Sequence, residues 1–238
     1  MKSFNEEHTT IWSFKERGNW ATHKGDYPGN CSPYVIKNLL LKYSNEGDLI
    51  LDQFVGSGTT IIESLLLNRR AIGIDINKKA VSITKDRLKN ISGNYKVING
   101  NAKNLELYDE SIDLICAHPP YMDIIKYSNS IEGDISLLSG KAFYDEMIVI
   151  ARECNRVLKN NKYCSIIMGD IRRNGFIVPV AFNVMSIFLE AGFLLKEIII
   201  KEQHNCKSTD KWIEIAQKRN FLLIQHEYIF VFKKCCLK

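Results

Sequence analysis

No apolar run in this 238-residue chain reaches the roughly 18 residues a helix needs to cross a bilayer, so a helical membrane protein is excluded. The opening residues Met1-Lys2-Ser3-Phe4-Asn5-Glu6-Glu7-His8 lack the apolar core of a signal peptide, and a cytoplasmic location is expected. None of the seven cysteines stands in a CxxC pair, which leaves neither a zinc-ribbon spacing nor a disulfide framework to read. Cys235 and Cys236 are adjacent but have no further ligands at helpful spacing, so no metal is expected. Only five prolines occur, and no proline-rich linker, internal repeat or low-complexity tract marks a boundary. A single domain over residues 1–238 is therefore expected, long enough for a full α/β core.

What the chain does contain is ordinary in bulk and specific in detail. Hydrophobic residues make up 45% and charged residues 25%, the proportions of a globular protein. The net charge of +5 and pI near 8.7 suit a polyanionic partner without requiring one. Apolar runs of strand length alternate with helical periodicity. Strands are expected at 49–54, 71–76, 95–98, 112–116 and 163–168, with helices at 33–43, 59–67, 78–89, 143–158 and 179–191 between or beside them. Ser32 is read as the N-cap of the helix that starts with Pro33. Two long strands, 193–200 and 227–232, close the chain, and no helix is required between them. The expectation is an α/β fold with a doubly wound, mostly parallel seven-stranded sheet ending in an antiparallel edge strand.

Two stretches carry the chemistry, each following a strand and so lying at the usual binding edge of an open sheet. The first is Asp52-Gln53-Phe54-Val55-Gly56-Ser57-Gly58-Thr59-Thr60, a glycine turn opening a helix. It is shorter than GxGxxG and lacks a Walker lysine, which argues against a nucleotide phosphate. Asp52 could accept hydrogen bonds from an ammonium group. Asp75 ends the next strand, about twenty positions on, where an acid suits a ribose diol. The second stretch is His118-Pro119-Pro120-Tyr121, a rigid polar-then-aromatic corner suited to holding a flat ring. Taken alone, the first could be a plain strand-to-helix turn and His118 a simple end to its strand.

Residues 22–77 and 100–121 resemble the S-adenosylmethionine-dependent amino-methyltransferases of DNA, which modify cytosine N4 or adenine N6. The family pattern D-x-F-x-G-S-G-T-T runs from Asp52 to Thr60, and Asp75 and the corner at 118–121 fall in their places. The resemblance implies a Rossmann-like methyltransferase fold with S-adenosyl-L-methionine as cofactor. Its pocket would be lined by Asp52, Phe54, Gly56, Gly58, Thr59, Thr60, Asp75, Ile76, Asn101 and Ala102, and by Tyr27, Pro28 and Ser32 from the segment 25–33. It implies catalysis at His118, Pro119, Pro120 and Tyr121. The side chain at 118 and the Pro119 carbonyl would accept the amine hydrogens, and Tyr121 would stack on a target base flipped out of the duplex. Three positions depart from the pattern. Gln53 replaces a common proline, and Asn101 replaces an aspartate that accepts a bond from adenine. His118 stands where the family carries Asp, Asn or Ser. A neutral imidazole can accept one hydrogen bond, an imidazolium none. A neutral side chain there is closer to the Ser type, which inclines the reading to cytosine.

Residues 1–47 would then form a cofactor-contacting segment and helix, and 48–238 the catalytic core. Residues 203–225, with Lys207, Lys211, Lys218, Arg219, Trp212 and Phe221, are a candidate target-recognition insert. Arg172 and Arg173 suit phosphates. DNA is the expected partner, with a homodimer or a separate specificity subunit as candidates, in restriction-modification or epigenetic marking. An RNA base methyltransferase and a catalytically impaired nucleic-acid-binding relative are the rivals.

Overall fold

The computed structural model describes residues 6–205 and 209–235. Its elements run β1 (Ile11–Ser13), α1 (Pro33–Tyr43), β2 (Leu49–Asp52), α2 (Thr59–Leu66), β3 (Arg70–Asp75), α3 (Lys78–Leu88), β4 (Tyr95–Asn99) and β5 (Ile112–Ala117). Two short 3-10 turns precede α4 (Gly140–Val157), followed by β6 (Leu158–Met168) and a small hairpin of β7 (Ile171–Arg173) and β8 (Phe176–Val178). The chain ends with α5 (Val180–Glu190), β9 (Phe193–Glu202), α6 (Thr209–Arg219) and β10 (His226–Lys234).

Eight strands form the main sheet in the order β1-β9-β10-β6-β5-β2-β3-β4. The order reverses at β5 and β2, which pair in parallel, so the cleft between their carboxyl ends is a topological switch point. β5 is buried along its whole length, as a central parallel strand must be. Apolar residues of β2, β5, β6 and β10 feed both faces. Phe143, Phe188 and Phe232 pack with α4 and α5 on one side, and Trp12, Ile36, Leu39 and Leu40 pack with α1 on the other.

Three expectations change. The sheet has an eighth strand, because the short N-terminal β1 adds in parallel to β9. The reversed strand is not at the edge. β10 is antiparallel to both β6 and β9 and lies between them, with β9 and then β1 outside it. A helix, α6, does connect β9 to β10. Trp212 and Ile213 are exposed and Ala216 is its one buried apolar residue among those described, so it lacks a long buried apolar stripe to announce it. Among the described residues, no helix is long and apolar enough to cross a membrane. Lys207 and Cys236 lie outside the described residues.

Candidate active site

The glycine turn follows β2 directly. Gly56 holds φ +50° and Gly58 φ +86°, left-handed conformations that glycine adopts without steric cost. The Gly58 amide bonds the Val55 carbonyl at 2.8 Å, closing a tight loop, and α2 starts at Thr59. The turn is sewn to β3 by Asp75, whose Oδ2 accepts from the Gly56 amide (2.9 Å) while Oδ1 accepts from the Asn77 amide (2.9 Å). Asp52, 5% exposed, accepts from the Phe54 amide at 3.0 Å and from the Thr60 hydroxyl. Burial pushes the Asp52 carboxyl up to about 7 against those bonds, and the Asp75 charge adds to the rise. Asp75 is raised too, chiefly by burial.

These residues line one cleft enclosing about 870 Å³ of space open to solvent. Asp52, Phe54, Gly56, Thr59, Thr60, Asp75, Ile76, Asn101 and Ala102 face it, together with Tyr27, His118 and Pro120. Its roof comes from two loops. Tyr27 stacks on Tyr127 at 5.9 Å and 14°, and Asn77 Nδ2 donates to the Tyr127 carbonyl (2.8 Å). Pro28 is an exposed roof residue, whose carbonyl accepts from the Tyr127 hydroxyl at 3.4 Å, and does not face the cleft.

Several positions sit otherwise than the resemblance implies. Ser32 is at the N-cap of α1 by backbone, yet its hydroxyl donates to the Arg17 carbonyl (2.9 Å) and caps nothing. Gly58 backs onto α3, since a Cβ there would come within 2.8 Å of Thr84 Cγ2, so its freedom serves packing and the turn. Asn101 spends one lone pair of Oδ1 on the Lys103 amide at 3.0 Å, leaving the other open. Gln53 is 1% exposed and donates to Cys154 Sγ at 3.0 Å, a core contact that proline could not make.

The corner at the end of β5 is built as a chain of polar contacts. His118 Nε2 lies 2.6 Å from the Tyr121 hydroxyl, which donates to Glu227 Oε1 at 2.9 Å. Glu227 Oε2 in turn accepts from Lys201 Nζ at 3.0 Å. His118 faces the cleft, whereas Pro119 is buried beneath it and Tyr121 stands behind. The Tyr121 ring crosses the end of β6 at Gly169, where an added Cβ would come within 2.7 Å of Tyr121 Cε2. Asp123, two positions after Tyr121, pairs with Arg173. Burial lowers the His118 pKa below its ordinary value, outweighing the Glu227 charge that favours the imidazolium; Lys201 adds to the lowering. Met122, next in the chain, is 2% exposed with φ +54°, a strained conformation adjoining the corner.

Sequence reasoning missed Glu227 and Lys201, which come from the last two strands, and Cys116 in the cleft wall. No local pattern singles them out, because each reaches the site through pairing or loop packing. Among the described residues, no group of His, Cys, Asp or Glu is placed to hold a metal ion.

Residues 44–220 match the family described as a methyltransferase domain. The chain belongs to that family. Residues 1–86 of this methyltransferase also match a family described as DNA methylase. Type II methyltransferase M.HpaI of Haemophilus parainfluenzae is 38% identical over 80 residues, 34% of this chain and 26% of that protein. The tRNA (guanine(10)-N2)-dimethyltransferase of Methanothermobacter thermautotrophicus is 37% identical over 97 residues, 40% of this chain and 29% of that protein. The chain thus matches these relatives over 26% and 29% of their length. A solved SAM-dependent methyltransferase from Methanosarcina mazei superposes with a TM-score of 0.56 at 17% identity, covering 83% of this chain and 97% of that one, a likeness of fold.

The methyltransferase cofactor is S-adenosyl-L-methionine, and the cleft fits it. Gln53 Oε1, Ser57 Oγ and Thr59 Oγ1, all in the glycine turn, are buried without a hydrogen-bond partner among the described residues. All three residues line the cleft, where a polar ligand would satisfy them.

Proposed function

We propose that this methyltransferase acts on the exocyclic amino group of a DNA base. The observation that carries the reading is that His118 and Pro120 open onto the same cleft as the glycine turn and Asp75, so a ring held at the corner would meet the cofactor end of the cleft. The match of residues 1–86 to DNA methylase and the likeness to a type II methyltransferase support DNA as substrate.

When bound, S-adenosylmethionine supplies an electrophilic methyl group on a sulfonium. Asp52 would hold its cationic methionine end, Asp75 its ribose, and Ile76, Asn101 and Ala102 its adenine. An exocyclic amine is a poor nucleophile because its lone pair is delocalised into the ring. Hydrogen bonds from the amine to His118 and to the Pro119 carbonyl would favour a pyramidal nitrogen and aim its lone pair at the methyl group. Once that methyl is taken up the nitrogen would carry a surplus proton, which His118 and the Pro119 carbonyl would hold in hydrogen bonds until it leaves to solvent. His118 can accept only when neutral, and burial, by lowering its pKa, favours that neutral form. A neutral acceptor at 118 favours cytosine N4 over adenine N6.

The relative that dimethylates tRNA guanine N2 favours a second reading, an RNA base as substrate, since the amine chemistry is the same. Incubation of the protein with labelled cofactor and DNA or RNA, followed by nucleoside mass spectrometry, separates the two. N4-methylcytosine is expected. N6-methyladenine would revise the base, label in RNA alone would replace the substrate, and no label in either would overturn the reading.

A further inference from the structure

The contacts behind His118 do more than hold it. Each group in the row has a fixed capacity to donate or accept. A carboxylate only accepts, an ammonium only donates, and a phenol carries one hydrogen. Glu227 is ionised: burial alone would raise its pKa, but the Lys201 charge and the hydrogen bonds from Lys201 and the Tyr121 hydroxyl favour the carboxylate, and its pKa lies below the ordinary value. Tyr121 remains a phenol, because burial and the neighbouring Glu227 charge push its pKa well up. Its one hydrogen is committed to Glu227 Oε1 at 2.9 Å. The 2.6 Å contact with His118 can then be made only if Nε2 carries a hydrogen and the phenol oxygen accepts it. A neutral imidazole with hydrogen on Nε2 has its lone pair on Nδ1. Among the described residues, no hydrogen-bond partner for Nδ1 is found.

We infer that Glu227, held by Lys201 and acting through the Tyr121 hydroxyl, fixes the tautomer of His118 so that Nδ1 faces the substrate as a hydrogen-bond acceptor. The inference rests on the reading of His118 as the acceptor of an amine hydrogen and extends it to residues on two other strands. Glu227 and Lys201 are direct cross-strand partners in the β10–β9 register, so their side chains share a face and meet at 3.0 Å. Both are well shielded, 12% and 17% exposed, where such contacts are weakly screened. Gly169 is what lets the row cross β6, since any side chain there would collide with the Tyr121 ring. Tyr121 thereby serves as a positioning residue through its hydroxyl, in addition to any stacking by its ring. The charges bearing on His118 are Glu227 from β10, which favours the imidazolium, and Lys201 from β9, which opposes it. The row is a device for using histidine where an acceptor is needed, because an unrestrained imidazole could present N–H to the amine and repel it.

The decisive variant is Glu227→Gln, which keeps shape and removes charge. Its amide oxygen would turn to Lys201 and its amide hydrogens to the Tyr121 oxygen. The phenol would then donate to Nε2, and the ring hydrogen would move to Nδ1. Nitrogen-15 spectroscopy of the resting protein, with the His118 signals identified by their loss in His118→Asn, reads the tautomer without any substrate. The wild type is expected to carry hydrogen on Nε2 and Glu227→Gln on Nδ1. kcat should fall about a hundredfold in that variant, the scale of losing one preorganised contact, with KM for the cofactor unchanged. Tyr121→Phe should also break the link and leave a mixture of tautomers. A wild type with hydrogen on Nδ1, a Glu227→Gln spectrum like the wild type, or an inverted tautomer with normal kcat would each overturn the inference. If the wild type methylated no nucleic acid, the proposed function would fall by itself, while the spectra would still decide the tautomer.

Discussion

Asp52 carries the heaviest electrostatic load in the cleft. Its pKa near 7 lies far above the ordinary carboxylate range, so between about pH 4 and 7 the folded protein holds a proton that the unfolded chain has released. That proton stabilises the cofactor-free fold fully below about pH 4, and the contribution is lost as pH rises through 7. Asp52→Asn should therefore flatten the pH dependence of stability over that window, read by denaturant melts at several pH values. A cationic ligand favours the ionised form, so S-adenosylmethionine affinity should climb as pH rises through 7 in the wild type. Calorimetry on Asp52→Asn should show that climb gone. At Gly58 the expected damage is mechanical. Alanine there must hold φ +86° against Thr84, at a cost of about 1–2 kcal/mol for the left-handed backbone alone. Gly58→Ala should lower the melting temperature and cofactor affinity together. A lost affinity with an unchanged melt would place Gly58 against the ligand instead.

At the scale of elements, the β7–β8 hairpin and the segment after α6 act as one unit. Arg172 stacks over Phe221 at 5.0 Å and donates to the Gly175 and Leu222 carbonyls, while Arg173 pairs with Asp123 beside the corner. Both arginines, which the sequence showed as suited to phosphates, make these contacts within the protein. The cations left for a polyanion on this unit include Lys211, Lys218 and Arg219 on α6, which also exposes Trp212 and Ile213. Replacing those three cations by alanine should weaken DNA binding and reduce the slope of log affinity against log salt by about 0.9 per lost phosphate contact. Unchanged affinity and slope would remove 203–225 as the target-recognition insert.

The whole molecule is expected to unfold as one domain, with the N-terminal segment tied into the core rather than appended. Trp20 Nε1 donates to the buried Glu63 of α2 at 2.7 Å, His23 meets the same oxygen at 2.7 Å, and β1 extends the sheet beyond β9. Calorimetry should show a single transition. S-adenosylmethionine at a hundred times its dissociation constant adds about 2.7 kcal/mol. For a chain of this size that is a rise of about 5–10 °C. A second transition insensitive to the ligand would divide the chain.

The parts that local chemistry dictates were legible from residues alone. Apolar period announced α1, β2, α2 and β3, with Pro33 marking the start of α1, and glycine spacing announced the turn, because the backbone conformations needed there exclude most side chains. The corner at 118–121 was legible as residues but not as a device. Its proton arrangement depends on Glu227, 106 positions from Tyr121, and on a glycine that lets one ring cross a strand end. The place of β10 inside the sheet was equally hidden, since an antiparallel strand reads alike at an edge or between neighbours. Sequence by itself determined the alternation of elements, the cleft-forming turn and the identity of its acids, all effects of near neighbours. Tertiary structure decided which donor meets which acceptor, and so which nitrogen of His118 faces the cleft. Hydrogen-bond direction is a property of a closed set of partners, and only folding brings that set together.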